Sequence, residues 1–250
     1  CATCRAQAAP SVQAWREAQP LFAAAARRPN LPSIAEPPVA AAGSRPRAKT
    51  LELRDLSYRF PTRQKPVLAG IDLVADTGER LLLQGRSGGG KSTLASMIAG
   101  LRTPDAGLVL VQGLDRRTIG DQAWRRRTVA VPQFHENHVF AETFAFNLLM
   151  GRRWPPKQSD LDLAEQIAGE LGLAGLIARM PAGLLQLVGE SGWQLSHGER
   201  SRLFMARALL QDSDVLIFVE SFAALDPETL RDCLNCVLKR APTLLVVAHP

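Results

Sequence analysis

The sequence predicts an α/β fold built on a parallel sheet with helices over both faces. Three observations carry this expectation. Short apolar runs recur along residues 49–250, helix-length stretches separate them, and one run leads straight into a glycine-rich loop. Strands buried on both faces read as unbroken apolar runs, and parallel neighbours need a crossover long enough to hold a helix.

Taken in order, residues 11–28 are Ala-rich and read as a helix that Pro20 breaks or kinks. Residues 29–48 carry Pro29, Pro32, Pro37, Pro38 and Pro46 among Ala, Gly and Ser, the composition of an extended linker without a core. The folded domain begins near Lys49. Leu51-Glu52-Leu53-Arg54 alternates as a half-buried strand does. Residues 81–83, 128–131, 215–219 and 244–248 supply the four apolar strands. A helix is expected over residues 93–101. Residues 134–210 lack strand runs and read as helical, with Trp154-Pro155-Pro156 as a loop.

Composition bounds the function. Hydrophobic residues at 46% and charged residues at 22% are ordinary for a globular domain. No stretch approaches the roughly 18 consecutive apolar residues of a membrane span. The net charge of +6 comes largely from arginine runs at Arg116–Arg117, Arg125 to Arg127 and Arg152–Arg153. A nucleic-acid surface needs stacking aromatics or a reading helix beside its basic face, and a single Tyr with scattered Trp supplies neither. A solvated basic surface, or one near acidic phospholipid, is therefore expected, with no nucleic-acid partner. The four cysteines form two Cys-x-x-Cys pairs, Cys1/Cys4 and Cys233/Cys236, at opposite ends of the chain. That separation is far from zinc-site spacing. The second pair lies in the helical pattern Leu230, Leu234, Val237, Leu238, where cysteine packs as a small hydrophobe.

Gly85-Arg86-Ser87-Gly88-Gly89-Gly90-Lys91-Ser92 matches the phosphate-loop pattern G-x-x-x-x-G-K-[ST] in full, between a strand and the helical run that opens at Thr93, the last of the expected nucleotide-binding residues. Glycines let backbone N–H groups turn inward as an anion nest, and the following helix adds its positive end. Lys91 is placed to reach the β- and γ-phosphates of a nucleotide, and the Ser92 hydroxyl to ligate magnesium.

Further along stands Leu195-Ser196-His197-Gly198-Glu199, with Arg200 and Ala206-Arg207-Ala208-Leu209 behind it. This resembles the signature motif of the ATP-binding cassette (ABC) ATPases. As local structure alone, Ser196 reads as a helix cap that Glu199 completes, and both readings can hold together. Other family elements follow the family's order. Tyr58 resembles the adenine-stacking aromatic, and Gln133 the glutamine that touches magnesium. Residues 216–220 (Leu-Ile-Phe-Val-Glu) resemble the Walker B strand with Glu220 as general base. Ala223-Ala224-Leu225-Asp226 resembles the D-loop, and His249 the switch histidine at the γ-phosphate.

The resemblance covers roughly residues 50–250. It implies a P-loop NTPase fold with an N-terminal antiparallel β subdomain and a helical signature subdomain over about 134–210. It also implies bound ATP and Mg2+, and a homodimer or pairing with a sister ABC domain. In such a pair Ser196, His197, Gly198 and Glu199 close over the other subunit's nucleotide. Val188-Gly189-Glu190 resembles the coupling loop of exporter-type domains. Residues 1–28 and the linker fit the cytoplasmic end of a fused upstream membrane domain, and the exporter resemblance implies a place on the cytoplasmic face of the cell membrane. The chain begins with Cys1 rather than Met and stops just past His249, which reads as a segment of a longer protein.

Two residues depart from the family pattern. Val219 stands where the Walker B aspartate helps to hold magnesium, which predicts slow hydrolysis. His197 replaces the first signature glycine. A soluble ABC ATPase without a transport role, and a regulatory domain that binds ATP and barely turns it over, are the alternatives.

Overall fold

The computed structural model describes residues 49–132 and 138–248. The expected helix and linker over 1–48, with Cys1 and Cys4, lie outside the described residues, as do Gln133 and His249.

Two four-stranded sheets organise the domain. β1 (Lys49–Tyr58) is flanked by β2 (Leu68–Asp76) and β4 (Ala106–Val111), and β5 (Leu114–Asp115) extends β4, all antiparallel. The alternation expected at Leu51 and Leu53 is interrupted at Asp55, whose φ of 45° marks a bulge that returns Leu56 to the core. Gly107 faces this bulge. A Cβ there would sit 2.3 Å from the Asp55 carbonyl oxygen, so only glycine lets the two backbones approach.

The second sheet is parallel, in the order β3 (Arg80–Gln84), β8 (Thr243–Ala248), β7 (Val215–Val219), β6 (Thr128–Val131). Its four strands coincide with the four apolar runs. β7 is buried along its whole length and sends alternate side chains to two cores. Val215, Ile217 and Val219 join Leu51, Leu53 and Leu56 with helix α1 (Lys91–Ile98) and Trp124 of α2 (Arg116–Arg127). Leu216 and Phe218 face α3 (Phe144–Leu149), α4 (Gln158–Glu170), α5 (Ala174–Arg179), α6 (His197–Leu209) and α7 (Pro227–Arg240). Burial on both faces explains why β6, β7 and β8 read as continuous apolar runs. β3 forms one margin of the sheet; among the described residues nothing pairs with its outer edge, and Leu82 at its centre is 61% exposed.

Helix α1 is shorter than the residues 93–101 expected. The chain leaves it at Gly100, with φ of 73°, where the Leu101 N–H turns back to the Ser96 carbonyl. The arginine run at 125–127 proves to be the last turn of α2. Three cations there sit against the negative helix end, while the Trp124 indole is buried and donates to the Ile98 carbonyl. Cys233 and Cys236 are buried in α7 as expected, and burial pushes both thiols up to about 11. Such thiols stay protonated and make poor metal ligands. No helix among the described residues is long and apolar enough to cross a membrane.

Candidate nucleotide site

The loop between β3 and α1 opens on a cleft of about 230 Å³. Gly90 caps α1 with φ of 84°, and a Cβ on it would lie 2.9 Å from Leu68 and 3.1 Å from the Val67 carbonyl oxygen. The loop is thus clamped beneath residues 59–67, and glycine is required at its last position. Lys91 is 8% exposed, and its ammonium donates to the carbonyls of Gly85 at 2.6 Å and Arg86 at 3.1 Å. The cleft is lined by residues 87–93, which include Ser92 and Thr93, together with Phe60, Arg63, Val67 and Glu220. Lys91 and Ser92, at the start of α1, and Glu220, at the end of β7, therefore line one cavity.

Glu220 follows β7 directly and has φ of 51°, a left-handed conformation that costs a non-glycine residue about 1–3 kcal/mol. Its N–H donates to the Val247 carbonyl at 2.9 Å, which fixes it against the end of β8. Beside it, the buried Ser221 hydroxyl donates to the carbonyls of Val131 at 3.1 Å and Val219 at 3.3 Å. This ties the end of β6, from which Gln133 follows, to the end of β7. Sequence reading missed Ser221; a small hydroxyl residue next to the expected base was the available signal. Val219 is 7% exposed and packs in the core that contains Leu94 and Ile98 of α1.

The aromatic residue at the cleft is Phe60, which corrects the placement of Tyr58. β1 ends at Tyr58, whose carbonyl accepts from the Val67 N–H at 2.8 Å, so Tyr58 is still held in the sheet. Its ring packs beside the core, and its hydroxyl accepts from Arg102 at 3.2 Å. Phe60 lies on the returning loop and meets the Tyr58 ring edge-on at 5.1 Å. The local signal was a second aromatic two residues on, before Pro61.

The signature stretch sits at the start of α6. Ser196 caps the helix, its hydroxyl accepting from the Glu199 N–H at 3.2 Å while Glu199 accepts from the Ser196 N–H at 2.8 Å. Glu199 also pairs with Arg179 at 2.8 Å. Burial works to raise its pKa, but the bonds from Ser196 and the charges of Arg179 and Arg202 outweigh it and hold the carboxyl below its ordinary value. The capping reading is thus realised within the chain. His197 is exposed at the first helical position. Gly198 faces Ala224 and Leu225, so the signature abuts the stretch that ends in Asp226. Asp226 caps α7, accepting from the Thr229 N–H at 3.0 Å, and that bond lowers its pKa.

The family described as "ABC transporter" matches residues 68–223. The chain belongs to the ABC transporter family. An ATP-dependent lipid A-core flippase of Salmonella typhimurium is 36% identical over 201 residues, 80% of this chain and 34% of that protein. One of Aromatoleum aromaticum is 37% identical, over 80% of this chain and 33% of that protein. A solved bacterial Atm1-family ABC exporter with ATP bound superposes with a TM-score of 0.71 at 29% identity, covering 88% of this chain and 38% of that one. This ABC chain has the exporter-type nucleotide-binding fold, and it spans about a third of the length of the curated relatives named.

Proposed function

We propose that the cleft binds MgATP and hydrolyses it, and that the chain is the motor domain of an ABC exporter. The meeting of Lys91, Ser92 and Glu220 beneath Phe60 carries this reading. Phe60, rather than Tyr58, stacks on the base. The loop N–H groups and Lys91 hold the phosphates, and Glu220 takes the proton of the attacking water. Ser92, exposed in the cleft, fits a magnesium ion that neutralises charge on the β- and γ-phosphates; Gln133 is the second ligand, and Val219 has no donor to offer. Missing that carboxylate, the domain turns over slowly.

Two such domains, identical or sister, close on nucleotide with Ser196 and Gly198 facing the opposite site. A membrane domain, on whose cytoplasmic face the chain sits, docks beside Val188-Gly189-Glu190. Phe140, Leu185 and Leu187 are 45%, 66% and 52% exposed there, and Gly189 packs on the Phe140 backbone. Exposed apolar clusters of this kind mark contact sites. Calorimetry with MgATP tests the site. Lys91→Ala should weaken binding at least about tenfold, since a charge-assisted bond to phosphate is lost. Undiminished affinity sinks the assignment.

A further inference from the structure

Arg63 stands in the cleft with no part in the reading above. It is exposed, lines the cavity with the phosphate loop, and holds its guanidinium carbon 5.9 Å from the centroid of the Phe60 ring. Arg102 lies over the same ring at 5.1 Å, but it is tied to the Tyr58 hydroxyl and does not line the cavity. Among the described residues, no carboxylate pairs with Arg63. Among the described residues the cleft thus carries two cationic side chains, Lys91 and Arg63, against one carboxylate, Glu220. Val219 adds no negative charge at the end of β7 and no acceptor for the waters of a metal ion.

These observations push the same way. A polyphosphate is drawn into a cavity with an excess of cations, and the attraction is strongest where water is partly excluded. A divalent ion finds fewer acceptors there than a second carboxylate would give it. We infer that Arg63 contacts the phosphate chain of the nucleotide, and that with Lys91 it neutralises enough charge to leave magnesium little to add to binding affinity. Arg63 can leave the face of Phe60 because a cation–π contact at an exposed position is worth only about 0.5–1 kcal/mol. A charge-assisted, forked bond to phosphate is stronger. The inference rests on the cleft being the nucleotide site.

The test measures ATP affinity by calorimetry in excess magnesium and in EDTA, for the parent chain and for Arg63→Ala, Arg63→Lys, Lys91→Ala and Val219→Asp. The parent should bind ATP with less than about a fivefold difference between the two conditions, and Val219→Asp should widen that difference. Arg63→Ala should weaken binding in EDTA by about tenfold and flatten its salt dependence, and Arg63→Lys should recover part of the loss. A parent that gains fivefold or more from magnesium overturns the inference. So does an Arg63→Ala variant that binds in EDTA as the parent does, or that loses affinity with an unaltered salt dependence, the mark of stacking alone. If Lys91→Ala binds ATP as tightly as the parent, the cleft assignment itself has failed, and that outcome is separable from any result at Arg63.

Discussion

At the scale of single residues, Val219 and Glu220 pull the end of β7 in opposite directions. Valine suits a buried strand that packs against α1, and an aspartate in its place would bury a carboxylate. Glu220 meanwhile holds an unfavourable backbone to present its carboxylate to the cleft. Val219→Asp should therefore raise turnover, by about 10–100-fold at limiting magnesium, and slightly lower the melting temperature of the nucleotide-free domain. Steady-state hydrolysis across a magnesium titration, with a thermal melt beside it, checks both. Turnover that stays level at every magnesium concentration would acquit Val219. The phosphate loop was legible because its pattern fixes four residue types, Gly85, Gly90, Lys91 and Ser92, within eight consecutive positions. The aromatic that lines the cleft was not. Tyr58 and Phe60 have the same chemistry, and only the end of β1 decides which of them leaves the sheet.

At the scale of elements, the helices were legible where local capping sets them and obscure where packing does. The S-x-x-E pattern at Ser196 starts α6 as such patterns should, while the Asp-Pro pair at Asp226, read only as the D-loop, starts α7. α2 escaped notice because its arginines mask a single buried face, and Gly120, with φ of 81°, interrupts its period. Strands β2, β4 and β5 were missed because half-exposed antiparallel strands lack continuous apolar runs.

Between α4 and α7, Arg240 donates to Glu170 at 2.6 Å, and this bond leads the causes that hold the Glu170 carboxyl at about 2. A depressed folded value means the pair stabilises the domain above the ordinary carboxylate range, and that this stability is lost as pH falls from about 4.5 towards 2. Arg240→Ala should lower the melting temperature at pH 7 and leave a shallower decline between pH 5 and pH 3. Parallel melting curves of the two proteins across that range would refute the pairing's role.

At the scale of the whole molecule, the two cores on either face of the parallel sheet hold the phosphate loop, Glu220 and the signature stretch on one scaffold. The fold class was readable because β7 and β8 are saturated with apolar residues on both faces. What one chain cannot show from its sequence is the surface it meets. On the proposed reading, the signature at the head of α6 meets a second domain. Glu220→Gln, which keeps the shape of the carboxylate but removes the base, should accumulate a dimer when ATP is added, as read by light scattering. A mass that ATP leaves unchanged, even at high concentration, rules out pairing between identical chains.

That measurement must reckon with β3. Among the described residues, its outer edge has no strand beside it, with the exposed Leu82 at its centre and Arg80 and Gln84 at the ends. Such an edge is a template on which another chain can add a strand. A solution of this chain should then show two kinds of self-association with separate signatures. One, through the signature, saturates with nucleotide and disperses when it is removed. The other, edge to edge, grows with protein concentration and time, ignores ATP, and is suppressed by placing a lysine at Leu82.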